Sequence, residues 1–156
     1  MVQLGHSMHR RLIDRSLEVI DYKVNELSFL FPQGYQDDSV NVFTGVDGDL
    51  KNTSFVITRA NLEDGGIEAY ALSQLRQYEK TFPKYEFLAG NRYQIEQCEA
   101  REIEYRWEAD QGRLHQLQLF LETNSRAIIF TLTAPGTLSN EHRRIFKSAI
   151  GSIRES

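Results

Sequence analysis

The residues that could carry out chemistry in this chain are few and widely spaced. Metal binding by histidine needs several imidazoles at short, regular spacings, and the four histidines have no such spacing: His6, His9, His115 and His142. We expect ordinary surface histidines at these positions. Cys98 is the only cysteine, and because no histidine partner is indicated for its thiol, nucleophilic catalysis is not indicated either.

The acidic residues favour solvated turns over a metal site. Asp37 and Asp38 follow a turn, and Asp47 and Asp49 flank Gly48, but no complete calcium-binding loop with its closing glutamate is present. The chain also lacks a glycine-rich phosphate loop, a Walker-type lysine and a nucleophile elbow. We therefore expect no enzyme, no metal and no cofactor, although a catalytic site assembled from distant strands would leave no such motif.

One strand-like stretch, RLHQLQLFLE at residues 113–122, carries an unusual mixture of side chains. Strand residues alternate between the two faces of a sheet, and one face here is apolar: Leu117, Leu119 and Leu121. The other face mixes amides, which need partners when buried, with large apolar groups: Leu114, Gln116, Gln118 and Phe120. With Val56 and Ile129, this second face predicts either a second core layer beneath a helix or an exposed binding patch.

Composition and charge exclude several classes of protein. A chain of 156 residues with 40% hydrophobic and 26% charged residues is long enough for one globular domain with a core. Its net charge of −4 and its pI near 5.6 argue against nucleic acid and anionic membranes as partners. No apolar run is long enough for a membrane span, so we expect no membrane insertion. The single cysteine and the lack of a secretory signal are typical of a cytoplasmic protein.

Hydrophobic periodicity predicts an α+β fold. Three strands precede a helix at residues 67–82, which Pro83 ends. Four more strands precede a C-terminal helix with Ser139 or Asn140 as its N-cap. Short links between consecutive strands require antiparallel pairing, so we expect a hairpin of strands two and three. The whole is a meandering antiparallel sheet of about six or seven strands with two main helices.

The alternation also predicts which strand residues are buried. The core candidates are apolar at every second position: Leu27, Phe29, Phe31, Phe55, Ile57, Ile103, Tyr105, Trp107, Leu117, Leu119, Leu121, Ile128, Phe130 and Leu132. Glu102, Glu104 and Arg106 lie at the opposite positions of their strand and predict a solvated face. Gly90 and Asn91 predict a bulge or a break in the fourth strand.

The start of the chain has a different pattern from the rest. Four apolar residues fall near one face of a helix: Leu12, Ile13, Leu17 and Ile20. Residues 1–21 therefore predict an N-terminal extension with some helical character, which is either a short docking helix or a frayed end. Residues 22–156 are expected to form the domain.

Six segments of the domain, in this order, resemble one known family. They are YKVNELSFLFPQGYQDDSVNVF, SFVITR, AYALSQLRQYEKTFP, YRW, LHQLQLFLE and FTLTAP. Together they resemble the DcrB-like family and, within it, the cytoplasmic Eag branch, the effector-associated adaptor chaperones of bacterial type VI secretion. The resemblance implies a homodimeric Mog/PsbP-like fold. It also implies that the protein holds the hydrophobic N-terminal transmembrane segments of a secreted PAAR or Rhs effector in soluble form before loading onto the secretion spike.

The same resemblance implies a client-binding groove. In the Eag branch two glutamines form hydrogen bonds with the client, and the matching positions here are Gln74 and Gln118. The apolar groove positions that match are Val40, Val42, Val56, Phe82 and Leu114. No role is implied for Gln116. An immunity protein, or another DcrB-like protein-binding domain, is the alternative that the sequence leaves open.

Overall fold

The computed structural model describes residues 19–24, 26–124 and 126–154. The chain divides into two compact units, Met1–Asp37 and Asp38–Ser156. The first unit contains a β-hairpin, and the second contains a six-stranded sheet and two helices.

Aromatic side chains hold the hairpin of the first unit together. β1 (Val19–Lys23) and β2 (Ser28–Pro32) pair antiparallel, with Tyr22 directly opposite Phe29. The ring of Tyr22 lies 5.5 Å from that of Phe29 and 5.9 Å from that of Phe31, measured between centroids. Aromatic cross-strand pairs of this kind stabilise a two-stranded sheet.

The structure differs from the sequence prediction at Leu27 and at residues 19–21. Leu27, predicted to be a core residue, lies between β1 and β2 and is 57% exposed. The predicted helical character of residues 1–21 falls mainly on residues 1–18, which lie outside the described residues. Val19–Lys23 is a strand because it pairs with the aromatic residues of β2. A domain boundary at residue 22 stays a prediction.

The second unit is an antiparallel sheet with one helix on each face. Its elements are β3 (Asn41–Thr44), a 3₁₀ helix (Gly48–Leu50), β4 (Ser54–Asn61), α1 (Gly66–Thr81), β5 (Glu86–Ile95), β6 (Cys98–Ala109), β7 (Gly112–Thr123), β8 (Arg126–Pro135) and α2 (Asn140–Gly151). The strand order is β3-β4-β8-β7-β6-β5, and every neighbouring pair is antiparallel. β5 to β8 form a meander, and α1 carries the chain from β4 to the far edge. The predicted α+β class and the predicted β3–β4 hairpin are confirmed.

Each face of the sheet has its own hydrophobic core. On the α2 face, which α2 covers, the buried members are Ala100, Leu117, Leu119, Leu121, Leu132, Ala134, Leu138, Phe146 and Ile150. On the α1 face, which α1 covers, they are Ile67, Ala71, Ile103, Tyr105, Phe120, Ala127 and Ile129. The predicted second core layer is therefore present at Gln118, Phe120 and Ile129, which are buried, whereas Val56 and Leu114 are only half-buried.

Turn residues define both ends of α1. Gly65 and Gly66 have φ values of +95° and +64°, a conformation that glycine adopts without strain, and the helix begins at this turn. At the other end, the N–H of Phe82 donates to the carbonyl of Tyr78 at 2.8 Å. Pro83 then ends the helix, as the sequence predicts.

A capping box starts α2. The Ser139 hydroxyl accepts a hydrogen bond from the His142 N–H at 3.1 Å, and the His142 Nδ1 accepts one from the Ser139 N–H at 3.1 Å. These bonds satisfy N–H groups that the start of a helix leaves without partners. Of the two predicted caps, Ser139 is the one formed. Phe146 and Ile150 then bury the helix against the sheet.

The edge strand β5 carries a bulge two residues before the predicted position. Its register with β6 shifts between Phe87 and Ala89, so Leu88 is the extra residue. Gly90 and Asn91, where the sequence predicts the irregularity, pair regularly. The ring of Phe87 lies over Gly90, where a glycine leaves room for it.

Two glutamates predicted to be solvated are buried beneath α2. Glu102 and Glu104 are only 4% and 9% exposed. Each meets a cation of the helix: the Lys147 Nζ lies 2.6 Å from Glu102, and Arg143 forms an ion pair with Glu104. The expectation of a solvated face is therefore wrong, because α2 covers this face and supplies the partner charges that buried carboxylates require.

His115, expected at the surface, is 2% exposed. Its Nδ1 accepts a hydrogen bond from the Leu138 N–H at 2.8 Å, so its Nε2 carries the proton that it donates to Glu104 at 2.7 Å. Burial lowers the pKa of His115, although the hydrogen bond with Glu104 opposes this. Burial raises the pKa of Glu104, but hydrogen bonds from Arg143 and His115 outweigh it, so the pKa of Glu104 is lowered overall.

We expect the free energy of unfolding to fall as the pH drops below about 6.5, the pKa of a histidine in an unfolded chain. Because the pKa of His115 is lower in the folded protein, the unfolded chain takes up the proton first, and acid favours unfolding. Urea unfolding at neutral pH and at about pH 5 measures this loss. His115→Gln keeps an acceptor for the Leu138 N–H and should lose most of the pH dependence. An equal loss in that variant would contradict the assignment.

Candidate functional site

The register of the sheet places one continuous row of side chains across the α1 face. From the β3 edge inward, Val42 lies opposite Val56 and Val56 opposite Thr131. Thr131 in turn lies opposite Gln118, and Gln118 opposite Ile103. Residues directly opposite in antiparallel strands point to the same face. The predicted client-binding residues Val42, Val56 and Gln118 therefore share one face.

A second row runs beside the first on the same face. It crosses the sheet from Ser54 to Thr133, then to Gln116 and to Tyr105. Leu114 follows Gln116 on β7, two residues away, and strand residues two apart share a face. The whole polar and apolar mixture that the sequence shows on β7 therefore belongs to the α1 face.

α1 covers only part of this face. It packs mainly on β6 and β7, where Ile103 and Phe120 are fully buried. Exposure rises toward the β3 edge, and Val42 is 61% exposed. We call the partly open strip on β3, β4 and β8 the α1-side groove. Its floor residues are Val42, Ser54, Val56, Thr131 and Thr133, and α1 packs on the strands β6 and β7 next to it.

Gln118 is a buried amide with partners on two elements. It is 6% exposed; its Nε2 donates to the Thr131 Oγ1 at 2.9 Å, and its Oε1 accepts from the Tyr78 hydroxyl at 3.0 Å. Burial raises the pKa of Tyr78, so this phenol stays protonated at neutral pH. The amide is thus held in one orientation between α1 and β8.

Gln116, for which no role was predicted, is held in the same way. Its Oε1 accepts from the Trp107 indole N–H at 2.6 Å, and its Nε2 donates to the Thr133 Oγ1 at 2.9 Å. Both β7 amides therefore find a threonine on the neighbouring strand, which explains why two glutamines are tolerated on a partly buried face.

Phe82 lies in a column of stacked rings at the end of α1. Its ring is 4.8 Å from that of Tyr78 and 4.2 Å from that of Trp107, and both pairs are nearly parallel. The hydroxyls of the neighbouring tyrosines remain protonated: burial raises the pKa of Tyr105 and raises that of Tyr85 to about 12. Phe82 therefore fixes the helix to β6 in addition to its predicted place beside a client.

Gln74 occupies the sheet-facing side of α1. It lies one turn after Tyr70, whose ring is 5.9 Å from that of Phe120, and one turn before Tyr78, which bonds Gln118. Gln74 is half-buried, and none of the hydrogen bonds among the described residues involves its side chain. The two predicted glutamines are thus placed on facing elements, one without a protein partner and one with two.

The remaining predicted positions extend this arrangement. Leu114 is half-buried opposite Trp107 on the α1 face. Val40 lies immediately before β3 and is exposed. The structure brings Val42, Val56 and Gln118 into one row, and the client-binding role of the whole predicted set stays a prediction.

Sequence reasoning gave no site role to five residues that shape this face: Tyr78, Trp107, Gln116, Thr131 and Thr133. The available signal was the alternation of threonines in FTLTAP beside the alternation of glutamines in HQLQLF. Two such strands in register pair amides with hydroxyls, as observed.

A second apolar feature lies on the α2 face. A cavity of about 460 Å³ is lined by Phe43, Thr44, Gly45, Leu50, Thr53, Phe55, Ile57, Phe130, Leu132, Ile145, Phe146 and Ala149. The Thr53 hydroxyl donates to the Leu50 carbonyl at 2.6 Å, so it is satisfied within the chain. This α2-side cavity has room for an apolar group but offers few polar contacts to orient it.

Among residues 19–24, 26–124 and 126–154, no group of three or more histidine, cysteine, aspartate or glutamate residues could hold a metal ion. Over the same ranges, no helix combines the length and the apolar character needed to cross a membrane.

The family model named DcrB matches residues 26–152, so the chain belongs to the DcrB family. A relative named Effector EagT6, from Pseudomonas aeruginosa, is 28% identical over 134 residues, which are 85% of this chain and 93% of that protein. These findings confirm the predicted resemblance to the DcrB-like family and its Eag branch.

Two solved structures resemble this chain. A crystal structure of a Pseudomonas aeruginosa protein of unknown function aligns with a TM-score of 0.74 and 26% identity, over 88% of this chain and 97% of that chain. A solution structure of cyanobacterial PsbP from Synechocystis covers 89% of this chain and 90% of that chain, with a TM-score of 0.45 and 13% identity. The first likeness supports the fold, whereas the second is too weak to carry an argument.

We expect Phe82→Ala to lower the free energy of unfolding by about 2–3 kcal/mol, because it removes the middle ring of the aromatic column from a half-buried position. Val42→Ala, at an exposed edge, should lower it by less than about 1 kcal/mol. Urea denaturation of the two variants gives the comparison. Equal, small losses would show that the column contributes little to stability.

Proposed function

We propose that this protein is an adaptor chaperone for an effector of type VI secretion. It binds and shields the hydrophobic N-terminal transmembrane segments of a PAAR or Rhs effector in the cytoplasm, before the effector is loaded onto the secretion spike. The observation that carries the proposal is the α1-side groove, which the protein's own helix leaves partly open. Membership of the DcrB family and the similarity to Effector EagT6 support it.

The dimensions of the groove suit one helix. Three neighbouring strands span about 10 Å, which is close to the diameter of a helix with its side chains. Val42 and Val56 supply apolar area on the floor, and removing such area from water contributes about 25 cal/mol per Å². Exposed apolar residues that lie side by side mark an interaction surface, so a transmembrane segment is a suitable occupant.

The polar groups of the proposed site give selectivity. The client-binding set is Val40, Val42, Val56, Gln74, Phe82, Leu114 and Gln118. Gln74 is half-buried without a partner among the described residues, and once a client covers this amide, leaving it unpaired costs about 1–3 kcal/mol. A client that satisfies this amide is therefore favoured over an arbitrary apolar surface.

A homodimer is part of the proposal. β3 is the outer strand at one edge of the sheet, and its neighbouring residues Val42 and Phe43 are exposed on opposite faces. The free backbone groups of an outer strand are commonly covered or blocked in native proteins. A second copy of the chain at this edge would cover them and lengthen the groove.

The α2-side cavity favours a second candidate function, a binding domain of the immunity-protein type. A folded toxin domain presents single apolar side chains more readily than a whole apolar helix. A cavity of about 460 Å³ with an apolar lining accommodates such a side chain.

Two adjacent residues of β3 give a matched test of the two faces. Val42→Arg places a charge in the α1-side groove, and Phe43→Arg places the same charge beside the α2-side cavity. The measurement is recovery of a co-expressed N-terminal transmembrane fragment from a candidate PAAR or Rhs effector of the same genome. We expect Val42→Arg to reduce recovery by about tenfold or more, because the client would bury an unpaired charge. Phe43→Arg should leave recovery near that of the wild type.

Both positions are exposed, so the variants should fold, and thermal unfolding checks this. Gln118→Ala is a poorer probe because it also removes the partner of Tyr78 and Thr131. Unchanged recovery in both variants would contradict the groove assignment. Loss in Phe43→Arg alone, together with binding to the toxin domain, would favour the second candidate.

A further inference from the structure

One group that can only donate sets the hydrogen-bond directions in one row of the groove floor. The indole N–H of Trp107 is a donor without acceptor capacity, so the atom that it meets at 2.6 Å is the Gln116 Oε1. The Gln116 Nε2 is then the atom that faces the Thr133 Oγ1 at 2.9 Å, and the hydroxyl oxygen accepts. The hydroxyl hydrogen of Thr133 is left to donate elsewhere.

The neighbouring row has the same directions. The Tyr78 hydroxyl donates to the Gln118 Oε1 at 3.0 Å, and the Gln118 Nε2 donates to the Thr131 Oγ1 at 2.9 Å. Within the described residues, no acceptor is found for the hydroxyl hydrogen of Thr131 or Thr133. Both threonines are half-buried on the groove floor. A hydrogen bond donated by a hydroxyl is stronger in such surroundings than in water.

We propose that Thr131 and Thr133 determine the specificity of the groove by donating hydrogen bonds to backbone carbonyls of the bound segment. This inference rests on the proposed function, because it states what the same groove selects. Trp107 and Tyr78 are positioning residues, since they orient the two amides that occupy the threonine oxygens as acceptors.

The spacing of the two hydroxyls matches a helix that lies along β8. Residues two apart in a strand are separated by about 6.8 Å. Carbonyls four residues apart in a helix are separated by about 6 Å along the axis, at a rise of about 1.5 Å per residue. A helix parallel to β8 therefore presents one carbonyl to each threonine on a single side.

Only some helices expose carbonyls to a neighbour. Each backbone carbonyl keeps a second lone pair after its helical hydrogen bond, and glycine, alanine or serine side chains leave it accessible to a close surface. A proline frees a carbonyl completely, because it has no N–H to donate. The ligand class is thus an apolar helix with small residues or a proline on one side. A helix covered by leucine side chains is disfavoured, because its carbonyls are not accessible.

Two synthetic peptides test this with the full chain. Both are fluorescent, lysine-flanked apolar helices of about twenty residues; one has a leucine core, and the other has glycines four residues apart on one side. Fluorescence anisotropy in mild detergent gives the two Kd values and their ratio. Replacing both threonines, Thr131→Val with Thr133→Val, should shift this ratio against the glycine peptide by about two- to tenfold for each hydroxyl lost. Thr131→Ser with Thr133→Ser keeps the hydroxyls and should keep the ratio.

The wild type and each variant are measured with the same two peptides. Comparing their Kd ratios therefore removes the contribution of the difference in apolarity between the peptides. An unchanged ratio in the valine variant overturns the inference and leaves the proposed function standing. An equal shift in the serine variant also overturns it, since packing of the methyl group would then set the preference. Failure of the wild type to bind either peptide overturns both proposals. Circular dichroism checks folding. If the double variant is unfolded, Thr133→Val alone, which loses one hydroxyl, should shift the ratio in the same direction by about two- to tenfold.

Discussion

The difference in width between a sheet and a helix governs this fold. Six strands about 4.8 Å apart make a sheet about 24 Å wide, whereas a helix with its side chains covers about 10–12 Å. Each face of the second unit carries one helix, so neither helix closes its face. The strips left over are the α1-side groove, which lies beyond the strands β6 and β7 on which α1 packs, and the α2-side cavity, which lies between α2 and the strands β3, β4 and β8.

The two faces satisfy their buried polar groups by different chemistry. Beneath α2, the carboxylates of Glu102 and Glu104 are neutralised by cations that the helix itself provides, so the position of α2 is tied to charge pairing. Beneath and beside α1, neutral amides bond to threonine hydroxyls on the next strand, which depends only on strand register. The open strip is therefore neutral and weakly polar, as a surface for an apolar helix must be if charge burial is to be avoided.

Local sequence patterns predicted most helices and strands, because hydrophobic periodicity and turn residues act over short stretches of the chain. The helix ended by Pro83, the Ser139 cap and the meander all follow from short stretches of sequence. Burial of Glu102 and Glu104 could not be predicted in this way, since it depends on where α2 crosses the sheet. The Gln118–Thr131 pair depends on the register between β7 and β8, and a slip of one residue would have turned the amides to other partners. The helical and strand patterns place Gln74 and Val42 on their elements, but only the family resemblance implied a role for them.

The buried histidine His115 is separated from the groove by the sheet itself. His115 lies on the α2 face with Glu104 and Arg143, whereas the groove floor holds amides, hydroxyls and aliphatic groups. The pKa of Tyr78 is raised by burial, so the floor keeps its hydrogen-bond directions across the range in which His115 gains a proton. Mild acid therefore acts on the packing of α2 and leaves the chemistry of the groove unchanged. Because β6, β7 and β8 serve both faces, any loss of the proposed client binding in that range would follow the loss of folded protein, with no separate transition of its own.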